Sequence, residues 1–154
     1  MTKLYNGHIP KNLTDYIRKY DIISPDLCNR AMNDLQNAKW DYHTWQSYEG
    51  VNDKFNGEGR ELTVSYGRDQ SITSELMGSV YTALQNYVKD FQFPWYNGWA
   101  GYTKIRFNRY QQGNIMDYHC DHIYNIFDGQ RKGIPTLSVV GGLNNDYEGG
   151  RFTM

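Results

Sequence analysis

The sequence predicts an α+β domain, and three observations predict it. Apolar residues recur at helical spacing in two early segments, Leu27 to Ala38 and Ile72 to Phe91. Tyr102 to Tyr110 alternates, with Tyr102, Lys104, Arg106, Asn108 and Tyr110 on one side and Thr103, Ile105, Phe107 and Arg109 on the other, which is the period of a strand. The helical segments precede most of the strand-like ones, so helices and sheet are expected to segregate into layers.

Taken in order, Asn12 to Tyr20 is a short, weakly helical stretch. Ser24 is placed to cap a helix, Pro25 suits its first position and Asp26 favours its positive end, with Leu27, Ala31, Leu35 and Ala38 forming the apolar stripe up to Lys39. Trp40 to Trp45 reads as a strand with Trp40, Tyr42 and Thr44 facing one way and Asp41, His43 and Trp45 the other. Glu49 to Arg60 is polar and glycine-bearing, hence a long loop, and a short strand follows around Leu62 to Tyr66. The second helix carries Ile72, Leu76, Val80, Leu84, Tyr87 or Val88, and Phe91, and stops before Pro94. Trp95 to Gly101 turns into the strand at Tyr102, Gln111 to Gly113 is a turn, Ile134 to Leu143 is a second apolar stretch, and Asn144 to Gly150 turns into a strand from Arg151.

With 154 residues the chain is one domain by length and able to bury a core. A net charge of -1, 39% hydrophobic and 21% charged residues mark it as globular, and without a basic stripe it is not built for nucleic acid. The 14 tyrosines and 4 tryptophans suit an aromatic-rich core and also pocket walls. Cys28 and Cys120 form no metal-binding or redox spacing, and no secretory or membrane-spanning stretch stands out, so a cytoplasmic location with free thiols is expected.

The candidate chemistry lies at His119, Cys120 and Asp121. Side chains two apart on an extended strand share a side, so His119 and Asp121 can reach one point while Cys120 faces away. An imidazole nitrogen and a carboxylate oxygen so aimed are two thirds of the two-histidine, one-carboxylate triad that holds non-heme Fe(II) with open positions. His122 then points off that side, and His43 reads as a hydrogen-bonded or solvent-edge histidine.

Four blocks around this pair, R-F-N-R-Y-Q-Q-G (Arg106 to Gly113), H-C-D (His119 to Asp121), F-D-G-Q-R-K-G-I-P-T-L-S (Phe127 to Ser138) and L-N-N-D-Y-E-G-G (Leu143 to Gly150), resemble the prolyl 4-hydroxylase-like 2-oxoglutarate and Fe(II)-dependent oxygenases, short phage and bacterial members above all. The likeness covers the last third of the chain, with a looser echo from Asp26 to Trp45. It implies a double-stranded β-helix, of jelly-roll or cupin type, backed by N-terminal helices. Residues 1–98 would be the support region and 99–154 the first half of the β-helix core. It implies His119 and Asp121 as iron ligands, Asn108 and Tyr110 beside the 2-oxoglutarate carboxylate, Fe(II), 2-oxoglutarate and ascorbate as cofactors, and a protein or small-molecule substrate hydroxylated at a C-H bond. Ile123 to Pro135 would be a substrate-side lid.

Two departures from the family pattern matter. Gly141 and Gly142 stand where relatives carry bulkier residues, which leaves that strand's inner face thinly furnished. The family's third ligand, a histidine, and its base for the distal carboxylate lie beyond the Gly-Gly turn, where this sequence has no histidine and, of basic residues, only Arg151, which is in the wrong place for that role. The resemblance is therefore to an oxygenase cut about halfway through its catalytic fold, completed by a further segment or a partner chain. Arg106 is a candidate substitute for the missing base, though it and Arg109 read most simply as solvated strand residues. The contrasting expectation is a catalytically inactive remnant that docks a partner through sheet edges and aromatics.

Overall fold

A computed structural model describes residues 12–46, 52–53, 61–91, 98, 101–116, 118–119, 121 and 137–153. Two helices, α1 (Pro25–Gln36) and α2 (Gln70–Phe91), share one apolar cluster of Leu27, Ala31, Leu35, Ile72 and Leu76 with Phe107 of the sheet. The capping signals of the sequence act as expected on α1. Ser24 Oγ accepts from Leu27 N at 3.2 Å, Pro25 opens the helix, and the stripe Leu27, Ala31, Leu35 is buried. The helix ends at Gln36, short of Lys39, where the Leu35 carbonyl accepts from Trp40 Nε1 at 3.1 Å as well as from Ala38 N at 3.3 Å.

On its exposed side α1 is tied to α2. Arg30 donates from Nε to Asp26 and from Nη2 to both oxygens of Glu75, the latter at 2.7 Å, fixing one helix against the other by charge as well as by packing. Within α2 the buried side chains are Ile72, Leu76, Ala83 and Phe91, whereas Val80 and Leu84 are half-buried. The expected stripe advanced in steps of four, and each such step rotates about 40° past a full helical turn, so the stripe drifts off the core and Ala83 takes its place.

The C-terminal turn of α2 receives the N-terminal segment. The expected weak helix there is a single 3-10 turn, Leu13–Tyr16, whose Tyr16 ring stacks on Phe91 and whose carbonyl accepts from Tyr87 Oη at 2.6 Å. Arg18 covers the Phe91 ring at 4.4 Å.

Among the described residues there are five short strands: β1 (Asp41–Tyr42), β2 (Trp45–Gln46), β3 (Asn52–Asp53), β4 (Thr63–Ser65) and β5 (Phe107–Arg109). The first, fourth and fifth make an antiparallel sheet in the order β1-β4-β5, while β2 and β3 pair as a separate hairpin. Strands shorter than the sequence suggested are the main correction. The Trp40 to Trp45 strand is split in two, and only Phe107–Arg109 of the Tyr102 to Tyr110 alternation is laddered. The described parts of Ile134 to Leu143 and of the stretch from Arg151 carry no strand. Alternation describes the faces of an extended chain, but a strand also needs a neighbour to bond with, and that neighbour is not written in local sequence.

Register assigns the faces. Ser65 lies opposite Phe107 and both are buried, so this side of the sheet faces the helices, with Ile105 packed against the same cluster. Thr63 lies opposite Arg109 on that side, where the guanidinium donates to Thr63 Oγ1 and covers the Trp40 ring at 4.3 Å. Asn108, opposite Val64, belongs to the other face. The expected turn at Trp95 to Gly101, the Glu49 to Arg60 loop apart from β3, the Ile123 to Pro135 lid, Cys120 and His122 fall outside the described residues, Gly98 and Gly101 excepted. Among the described residues no helix is long and apolar enough to cross a membrane.

The link between β4 and α2 is held from α1. Asp34 Oδ2 accepts from Arg68 N at 2.7 Å and from Asp69 N at 3.3 Å. Gly67 has φ +71°, and a Cβ there would come within 3.2 Å of both Asp34 Oδ2 and the Phe107 ring, so the turn needs glycine for conformation and for space. Asp34→Ala leaves two amides without their acceptor and is expected to lower stability by about 1–2 kcal/mol; an unchanged urea midpoint would refute this. Asp69 immediately precedes α2, and its carboxyl is held below the usual range chiefly by the Ser71 hydroxyl and then by the Ser71 amide. The folded group binds its proton less readily than the unfolded one, so its stabilising effect is complete above about pH 3.9 and is lost as pH falls through the lower folded value. Asp69→Asn is expected to flatten this acid limb in thermal melts, and parallel limbs would refute the assignment.

Candidate metal centre

Beyond β5 the chain reverses. Asn114 N donates to Gln111 O at 2.9 Å, and Asn114 Oδ1 accepts from Gln111 N at 2.7 Å, closing the turn foreseen at Gln111 to Gly113. The return brings Met116 Sδ to 3.6 Å from the Tyr110 hydroxyl and leads to Tyr118 and His119.

No strand carries the His119 and Asp121 pair, contrary to the expectation of an extended ladder: the described residues from Asn114 to Asp121 have irregular backbone. The two side chains nevertheless converge. His119 Nε2 lies 3.5 Å from Asp121 Oδ1, and the side chains are 32% and 61% exposed, respectively. Two donors each about 2.1 Å from one ion and roughly 90–110° apart stand about 3.0–3.4 Å from each other, so the observed separation suits adjacent ligands of one cation with little adjustment. One imidazole and one carboxylate form a donor set that fits iron(II) among several divalent metals. Among the described residues no third His, Cys, Asp or Glu completes the set.

The carboxylate is held on its far side. Ser138 Oγ donates to Asp121 Oδ2 at 2.6 Å, across 17 residues of sequence. Ser138 belongs to the 137–143 stretch, whose Leu143, like Ile23, packs against the cluster formed by the two helices and Phe107. Gly141 lies near Ile23, since a Cβ there would stand in ordinary contact with Ile23 Cδ1 at 3.5 Å; this spacing does not itself require glycine.

Asn108 and Tyr110, the expected neighbours of the cosubstrate, are exposed. Asn108 Oδ1 accepts from Arg106 Nε at 3.0 Å, which draws Arg106 and Asn108 together on one side of the strand. Burial raises the pKa of the Tyr110 phenol, with Arg106 lowering it and Glu61 raising it, so these three groups lie within one electrostatic neighbourhood. Among the described residues no hydrogen bond or ion pair joins Asn108 or Tyr110 to His119 or Asp121.

A second polar pair lies at the same end of the sheet. His43 Nδ1 and Glu61 Oε2 are 3.1 Å apart with side chains only 5% and 7% exposed, and His43 N donates to Leu62 O. His43 is thus hydrogen-bonded, one of the two states its sequence context suggested, and buried rather than at the solvent edge. Glu61 could not be read as its partner, because it adjoins a polar loop; the signal was the apolar pairing of the strand around Leu62, which is fully buried. Comparison of the chain with protein-family models, with curated proteins and with solved structures finds no match in any of the three.

Removing one member of a buried pair deprives the other of this hydrogen bond. Glu61→Ala is expected to destabilise the fold by about 2 kcal/mol, measured by urea unfolding, and a loss below about 0.5 kcal/mol, the usual range for surface substitutions, would show that the pair is not buried in solution.

Proposed function

We propose that this chain carries part of the iron site of a 2-oxoglutarate-dependent dioxygenase of the prolyl 4-hydroxylase-like type, hydroxylating a C-H bond of a protein or small-molecule substrate. The observation that supports this most is the approach of His119 Nε2 to Asp121 Oδ1, with Ser138 bonded to the other carboxylate oxygen. Bound Fe(II) supplies dioxygen activation coupled to the oxidative decarboxylation of 2-oxoglutarate to succinate and carbon dioxide. His119 and Asp121 hold and orient the ion and, being partly exposed, leave it open to further ligands. Arg106, fixed by Asn108, and Tyr110 supply a cation and a hydroxyl on the strand that leads into the site, chemistry that suits a dicarboxylate. The third ligand comes from outside the described residues, whether from this polypeptide or from a partner chain, and the reaction takes place in the cytoplasm with ascorbate keeping the iron reduced.

One observation favours a second reading, a binding module without turnover. Tyr118 at 85%, Val140 at 76% and Phe152 at 65% are apolar side chains held in the open, a composition suited to docking a partner. The two readings part on metal dependence. Anaerobic titration with Fe(II) and 2-oxoglutarate is expected to give a charge-transfer absorption that His119→Ala and Asp121→Ala abolish, with succinate formed on admission of oxygen. An absorption and succinate yield unaffected by either substitution, or absent from the unaltered protein, would overturn the oxygenase reading.

A further inference from the structure

We infer that Ser138 is the positioning residue of this metal centre. Its hydroxyl holds Asp121 by Oδ2 and thereby turns Oδ1 toward His119 Nε2. The inference rests on the metal-site reading and adds to it a residue that neither the alternation nor the His-x-Asp spacing marks.

A carboxylate has two equivalent oxygens and a soft terminal torsion, and with 61% of its side chain exposed Asp121 has water competing for both. The 2.6 Å contact is in the range of a hydroxyl bonded to an ionised carboxylate, which is stronger than a neutral hydrogen bond. It occupies one oxygen and leaves the other beside the imidazole. Ser138 can fix Asp121 only because Ser138 is itself fixed: the 137–143 stretch is moored to the helical layer through Leu143, and Gly141 abuts Ile23. Outer partners that orient a ligand typically change metal affinity by about 10–100-fold.

The test is Co(II) binding to the full chain, followed by visible absorption and equilibrium dialysis, with Ser138→Thr and Ser138→Val as a shape-matched pair that differ in the hydroxyl, and with Ser138→Ala and His119→Ala beside them. Ser138→Ala and Ser138→Val are expected to weaken Co(II) binding by about tenfold or more and to alter the visible band, while Ser138→Thr keeps both. Melting temperatures are expected to stay together, because Ser138 is exposed. Loss of binding in His119→Ala with Thr and Val variants alike would overturn the role of the hydroxyl and leave the metal centre standing. Binding that His119→Ala does not change, or no binding by the unaltered chain, would overturn the centre and this inference with it.

Discussion

Phe107 is the one buried residue of β5, and it is buried in the same cluster as the facing stripes of both helices. A strand has two faces, so committing Phe107 to the helices commits Asn108 to the opposite side, and a slip of one residue would exchange them. The same ring stands against Gly67, which fixes where β4 turns into α2. One aromatic side chain thereby sets the layer order, the register of the sheet and the side on which the polar residues Arg106 and Asn108 are displayed.

What the sequence made legible follows from how local each cause is. The start of α1 depends on Ser24 to Leu27, four residues in a row that contain their own hydrogen-bond partners, and it was readable to the residue. The glycine turn after Gln112 was readable for the same reason. Strand lengths were not, because β4 and β5 exist only where each finds the other, more than forty positions away. The drift of the α2 stripe from Leu76 to Ala83 could have been computed from helical pitch alone, and stepping by four hid it.

The candidate site divides in the same way. His119 and Asp121 are neighbours in sequence and meet in space without the strand that was expected to bring them together. Their support is non-local: Ser138 reaches Asp121 from beyond residues 122–136, and Glu61 reaches His43 from beyond the β2-β3 hairpin. Such partners leave no periodicity. They are polar side chains of ordinary type whose roles depend on where the rest of the chain puts them, as Asp34 shows by reaching from its helix to hold the turn at Arg68.

Ile23 immediately precedes the serine that caps α1, and it is also the side chain against which Gly141 lies, with Leu143 packed on the same cluster. The loop bearing Ser138 is therefore berthed in part on the residue that leads into a helix. Fraying at the start of α1, where helix ends open at low cost, would loosen Ile23 and with it the segment that steadies Asp121, so the donor geometry would soften while β4 and β5 were still paired.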